Sequence, residues 1–352
     1  AEKNRTQEEW ENSKYGQQLK QAGYTFGYGY ELEGTDIIYA AFTIFDFEEQ
    51  QSSFAYVFAV KDGGTLTSMS DFPSEGAPWS DMLLGEVYFE DEVTGIGSNA
   101  FNDMTTLETV VFEDASKLTY VGSYAFNGDN KAQFTDEGNS DAGEDDPTRI
   151  LDLSHVEKMG ENAFYNCDGI KGVELNGNIT ALETPEGGGA TQEIPNKIPN
   201  YAFGSCNALT SITVPQGIET IGTAAFAGCT QASSITLPNS LVTIEDRAFA
   251  CSIDGDNKQL TSLTIPENVV TIGASAFYGY TELTTVTVES TKLQKPGAAA
   301  FGNDDMSAYS GQQTVGDVTV ENGGTTFKTP NAEITKLFVN HDNCYLGPIS
   351  PL

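Results

Sequence analysis

Residues 209–231 read LTSITVPQGIETIGTAAFAGCTQ, and residues 232–254, ASSITLPNSLVTIEDRAFACSID, repeat the pattern at the same offsets. In the first copy the apolar positions are Leu209, Ile212, Val214, Ile218, Ile221, Ala225, Phe226 and Cys229. In the second they are Ala232, Ile235, Leu237, Leu241, Ile244, Ala248 and Phe249, and a third copy gives Leu260, Leu263, Ile265, Val269, Ile272, Ala276 and Phe277. Leu84, Val87, Phe89, Val93, Ile96, Ala100 and Phe101 open the series. The spine phenylalanines are Phe101, Phe126, Phe164, Phe203, Phe226, Phe249, Phe277 and Phe301, spaced by 25, 38, 39, 23, 23, 28 and 24 residues. The floor is 23, so each longer gap reads as one unit plus an insertion. A fixed period of this size is the signature of a stacked repeat.

Within a unit, SITVP, SITLP and SLTIP alternate apolar and polar residues and favour β-branched ones, the period-two signal of a half-buried strand. Pro215, Pro238 and Pro266 end that strand where a missing N–H is tolerated. A second short extended piece follows and ends at Gly97, Gly122, Gly160, Gly222 or Gly273, expected at a corner needing positive φ or close backbone approach. Pro199 and Glu245 replace the glycine in two copies. One coil cannot cover its own apolar face, whereas stacked coils can, strand upon strand at ~4.8 Å. The expected fold is a mainly β repeat solenoid of about eight rungs, with the phenylalanines stacked inside.

The pattern L-x-x-I-x-I-P-x-x-[VI]-x-x-I-G-x-x-A-F-x-x-C resembles the BspA-like leucine-rich repeats of bacterial surface proteins, over about residues 84–305. The resemblance implies a right-handed solenoid on a secreted or surface-anchored protein whose work is adhesion to host proteins or other bacteria. It supplies no catalytic residues to carry over.

The expected domains are an α+β N-terminal cap or small domain over 1–80, the solenoid over 81–305, and a degenerate repeat and closure over 306–352. TQEEWENSKYGQQLKQAG (6–23) reads as a helix opened by a Thr6–Glu9 capping box, with Trp10 and Leu19 on its apolar side. DIIYAAFTIFDF and SFAYVFAV read as two antiparallel strands. Tyr24, Phe26, Tyr28 and Tyr30 form an aromatic cluster of the kind that stacks on a sugar or packs a hairpin. In the tail, VGDVTV (315–320) reads as a ninth rung and ITKLFVNHDNCYLGPISPL (334–352) as the closure. The polar N-terminus has no apolar h-region, and the tail has no sorting motif or hydrophobic anchor. Any leader or attachment therefore lies outside this sequence.

Composition narrows the function. With 17 Lys+Arg against 51 Asp+Glu, the net charge of −34 repels nucleic acid and anionic membranes. No window reaches the ~18 apolar residues of a membrane span. Of the five cysteines, Cys167, Cys206 and Cys229 each lie three residues after a spine phenylalanine and Cys251 lies two after one. They are expected to be buried thiols acting as small hydrophobes, since the CxxC-like spacing of a zinc site is absent. Asp136–Asp146 gathers six acids. Clustered carboxylates of this sort can hold Ca²⁺, but the EF-hand order is missing, so a solvated acidic loop is expected and no cofactor is assigned. The histidines are His155 and His341, and DLSH (152–155) places Asp152, Ser154 and His155 in sequence but on one strand and its turn. No P-loop, HExxH or G-x-S-x-G motif occurs. With this many acids, carboxylate pairs at the ~5–9.5 Å of a glycosidase arise by chance.

What remains is surface. If Ile212 and Val214 point inward, then Ser211 and Thr213 point out, followed by Ser234 and Thr236, Ser262 and Thr264, and Thr285 and Thr287. Toward the N-terminus the same places hold Glu86, Tyr88, Thr109, Val111, Asp152 and Glu174. The expected function is non-enzymatic adhesion or protein recognition through this sheet face and the insertion loops, with a host or bacterial surface macromolecule as partner. The alternative is a carbohydrate-binding or nutrient-capture accessory protein using the N-terminal aromatics.

Overall fold

The computed structural model describes residues 4–139, 150–251, 255–302, 319–322 and 325–339. The chain divides into two compact units, Ala1–Glu174 and Leu175–Leu352. Each contains a run of parallel β-coils of the kind the repeat predicts.

In the second unit the strand Ser211–Thr213 pairs in parallel with Ser234–Thr236. The short pieces Lys197–Ile198, Thr220–Ile221, Thr243–Ile244 and Thr271–Ile272 form a second parallel ladder. Between the ladders the chain turns at Ala-Phe. Phe203, Phe226, Phe249, Phe277 and Phe301 stack with centroids 5.1–5.6 Å apart and ring planes within 5–9°. The first unit repeats this with Phe101, Phe126 and Phe164, 5.4 Å apart, and Trp79 lies 5.5 Å from Phe101. All eight phenylalanines are buried.

The corner takes the second of the two expected forms. The glycines before the turn do not have positive φ; close approach explains them. A Cβ on Gly122 would lie 2.2 Å from the Ser98 nitrogen, and one on Gly222 would lie 2.6 Å from the Ile198 oxygen. The left-handed residue is instead the one two before each phenylalanine: Asn99, Tyr124, Asn162, Tyr201, Ala224, Arg247, Ser275 and Ala299, with φ between 53° and 60°. Such a conformation costs a non-glycine residue about 1–2 kcal/mol. It persists because it aims successive N–H groups at the next coil. Ala224 N donates to Asp246 O at 3.1 Å, Phe226 N to Ala248 O at 2.8 Å and Gly228 N to Ala250 O at 2.6 Å.

The thiols of Cys167, Cys206, Cys229 and Cys251 are buried and form no disulfide. Cys167 Sγ donates to Phe126 O at 3.2 Å and Cys229 Sγ to Phe203 O at 3.5 Å. Asp129 occupies the cysteine position after Phe126 and is equally buried. Its Oδ1 accepts from Met104 N at 2.8 Å, and its Oδ2 has no partner among the described residues. Burial pushes its carboxyl well above the usual carboxylate range.

At the N-terminus the expected helix is two, α1 (Gln7–Asn12) and α2 (Lys14–Gln21). The Thr6–Glu9 capping box forms. Ser13, in extended backbone, breaks the run because its side chain accepts from Gly16 N and starts a new helix. Strands β1 (Thr25–Glu31), β2 (Ile37–Asp46) and β3 (Gln51–Val60) form an antiparallel meander. β3 then pairs in parallel with β4 (Leu84–Phe89), the first coil strand. The strand 109–112 follows β4 in the same parallel sense.

At the other end, the ninth rung expected at 315–320 lies mostly outside the described residues. Its last residues open the strand Thr319–Asn322, which runs antiparallel to Thr325–Lys328. Thr325–Lys328 is the strand that extends the parallel ladder, on Thr285–Val288. Phe338, from the helix Ala332–Val339, packs on Phe301 and Phe327.

Candidate functional face

The strand that supplies the outward residues is short because proline stops it and a turn follows. Alternation along it then decides exposure. Ser211, Thr213, Ser234, Thr236, Ser262 and Thr264 are exposed, while Ile212, Ile235 and Leu263 between them are buried. Parallel register sets like beside like: Ser211 beside Ser234, Thr213 beside Thr236, Ser262 beside Thr285, and Thr264 beside Thr287. Thr285 and Thr287 are half-buried.

This face is split. No backbone hydrogen bond joins Ser234–Thr236 to Ser262–Ile265, although both strands are bonded to their other neighbours. The cause lies in the 28-residue spacing from Phe249 to Phe277, five more than the basic unit. Asn257, inside that insertion and fully buried, replaces the missing ladder. Its Nδ2 donates to Cys229 O and Ala232 O, and its Oδ1 accepts from Gln259 N and Leu260 N. On the far side of the coil the ladder from Thr243 to Thr271 is intact. The result is a polar groove of about 470 Å³ on the outward face, lined by Ser234, Thr236, Ser262 and Thr264 together with Asn239 and Glu289.

Toward the N-terminus the face changes character. Tyr88, expected in the open, is buried at 4% exposure, and Val111 beside it at 6%. Trp10, Tyr15 and Leu19 of the two helices cover them, and Tyr15 lies 4.8 Å from Tyr88 between ring centroids. The helices thus hide the outer face of the first coils, which the repeat pattern alone does not show. Glu86 and Thr109 are half-buried. Glu86 accepts from Tyr24 Oη at 2.5 Å and from Tyr88 Oη at 2.6 Å. Burial first, then that carboxylate, raises both phenols.

The other candidates resolve differently. Asp152 Oδ1 accepts from Ser154 Oγ at 2.5 Å, and Ser154 Oγ lies 3.2 Å from His155 Nδ1. Ser154 therefore stands between the acid and the imidazole, on an exposed turn, and Asp152 does not orient the imidazole as the acid of a triad does. His341 and most of the acidic stretch 136–146 lie outside the described residues. Asp136 itself is buried, and its oxygens accept from Ala115 N, Gly138 N and Asp152 N. Among the described residues no three metal-ligating side chains converge, and no helix is long and apolar enough to cross a membrane. The insertion after residue 176 is a hairpin, Thr180–Glu183 against Gln192–Pro195, with Gly187–Gly189 at its tip in positive φ.

Stacked parallel coils with an outward strand face and insertions at their edges define a leucine-rich repeat solenoid. The model of the BspA-type leucine-rich repeat region matches residues 79–139, 148–185 and 196–320 in six copies, so the chain belongs to that family. No curated protein matches it. Similar solved structures include a leucine-rich repeat protein from Bacteroides ovatus, 20% identical over 78% of this chain and 66% of that one, with a TM-score of 0.45. This chain thus spans just under two thirds of that relative. A leucine-rich cell surface protein from Faecalibacterium prausnitzii is 19% identical over 77% and 94% of the two chains, with a TM-score of 0.26. A pneumococcal vaccine antigen is 15% identical over 93% and 100%, with a TM-score of 0.31.

Proposed function

We propose that this is a non-enzymatic secreted or cell-surface protein that recognises a macromolecule, a host or bacterial surface protein in preference to a glycan. Residues 1–80 act as the cap, 81–305 as the recognition solenoid and 306–352 as the closure. The observation that carries this reading is the hydroxyl face of Ser211, Thr213, Ser234, Thr236, Ser262 and Thr264, uncharged on a chain of net charge −34 and opened by a groove between its two ladders. Uncharged hydroxyls and unpaired strand edges offer both donors and acceptors to a polar partner without the desolvation cost of carboxylates. The hairpin at 180–195 supplies a second contact.

The test is surface plasmon resonance of the whole chain against a panel of extracellular matrix proteins and bacterial surface extracts. Thr213→Lys and Thr236→Lys are each expected to weaken the interaction at least tenfold without changing the melting temperature. No binding across the panel, or binding indifferent to both substitutions, refutes the reading.

A further inference from the structure

Five aromatic rings, one per strand, stand in register on the inward face of the first unit's sheet. Tyr30 lies opposite Tyr39, Tyr39 opposite Phe58, Phe58 opposite Phe89, and Phe89 opposite Phe112. Their centroids are 5.0, 5.3, 5.3 and 5.1 Å apart, with ring planes within 15–28°. The rings therefore stack face to face at nearly the spacing of the strands that carry them. At one end the row meets Asp136, opposite Phe112. At the other it stops at Tyr30, which is 41% exposed, whereas Tyr39 one step inward is 6% exposed.

The backbone of the same strand is equally unfinished. β1 is the outermost strand of its sheet. Leu32 N donates to Ile37 O at 2.9 Å. By the alternation of antiparallel pairs, Tyr28 and Tyr30 then turn their backbone groups toward β2, and Gly29 and Glu31 turn theirs outward. No backbone hydrogen bond from the described residues reaches that outer edge. Natural edges are blunted by bulges, lysine or proline. β1 carries a bulge at Gly27, but Tyr28–Glu31 beyond it is in regular register, holds neither lysine nor proline, and has Glu31 as its one charge, which opposes an acidic strand and not a basic one.

We propose that Tyr28–Glu31 is a docking edge for an extended basic segment of a partner protein, which adds as a further strand and lays an aromatic side chain on the open face of Tyr30. The outward backbone groups call for a strand, and the open ring face calls for a ring one strand-spacing away, so both features select one occupant. The net charge of −34 opposes a second copy of this chain and favours a cationic segment. The edge is independent of the hydroxyl face, and either assignment can fail without the other.

The probe is a fluorescein-labelled peptide, Lys-Thr-Tyr-Thr-Tyr-Thr-Lys, titrated with the full chain and followed by fluorescence anisotropy. Saturable binding is expected. It should weaken about fivefold or more with Tyr30→Ser, with Glu31→Pro, with alanine in place of the probe's tyrosines, and with N-methylation of alternate probe amides. Thr213→Lys should leave it unchanged. The two probe changes do not touch the protein, so they decide the matter even if a variant folds poorly. Four outcomes overturn the proposal: no saturable binding, equal binding of the alanine probe, self-association of the chain that depends on Tyr30, and displacement by cellohexaose with N-methylation harmless. The third would make the occupant a second copy, and the last would make it a glycan.

Discussion

Lys197 is the buried cation of the second unit whose loss the structure makes easiest to quantify. Its side chain is 5% exposed and bridges Glu183 Oε2 at 3.0 Å and Glu245 Oε1 at 3.1 Å, carboxylates whose side chains are 10% and 29% exposed. The remaining oxygens are used as well. Glu183 Oε1 accepts from Asn200 N, and Glu245 Oε2 accepts from Thr223 N and Oγ1. Lys197→Met preserves the stem and deletes the charge, leaving two acids facing one vacated position. Breaking a buried pair by removing one partner costs about 3–5 kcal/mol. Because Glu245 keeps part of its hydration, the lower half of that range applies, about 3–4 kcal/mol. Replacing all three members together (Lys197→Met, Glu183→Met, Glu245→Gly) restores the glycine that Gly222 and Gly273 supply in neighbouring coils, and should recover most of the loss. Urea unfolding followed by circular dichroism gives the stabilities, and hydrogen exchange at the Thr223 amide gives the local response. A single variant within about 1 kcal/mol of the parent, or a triple variant no better than the single, would refute the reasoning.

Three further outcomes are expected. Asp129 has a folded-state pKa above its unfolded value, so its charge destabilises the fold above the unfolded pKa of about 3.9, and the penalty disappears on acidification. Asp129→Asn should therefore be more stable than the parent at pH 7.5, with the gap closing toward pH 4; parallel pH profiles from urea midpoints would contradict this. Phe226→Ala, between Phe203 at 5.6 Å and Phe249 at 5.4 Å, should cost about 3–5 kcal/mol by chemical denaturation, and Phe226→Leu clearly less. Gly122→Ala places a methyl 2.2 Å from the Ser98 nitrogen and should lower the melting temperature by several degrees, read by calorimetry.

The repeat period, the strand, its proline stop and the inward phenylalanines were all legible in the two copies over residues 209–254. Each is a local consequence of side-chain alternation, and every copy restates it. The alternation also placed Ser211, Thr213, Ser234 and Thr236 outside correctly, since period two has only two faces. It failed at Tyr88, because exposure there depends on helices some 70 residues away in the chain. At the corner it left two readings open, of which close approach holds at the glycine. Close approach and positive φ both favour glycine, and the alternation cannot tell which residue meets which demand.

The sequence by itself determined that this chain winds into coils and which side chains each coil buries, because those choices are made within a few residues by strand alternation and turn chemistry. Only the tertiary structure decided where the ladder breaks at Asn257, that Asp129 in a cysteine's place is bonded through one oxygen alone, and which aromatic ring is left open at Tyr30. Those features arise where one coil or strand meets, or lacks, a neighbour, and no local pattern records the neighbour's presence.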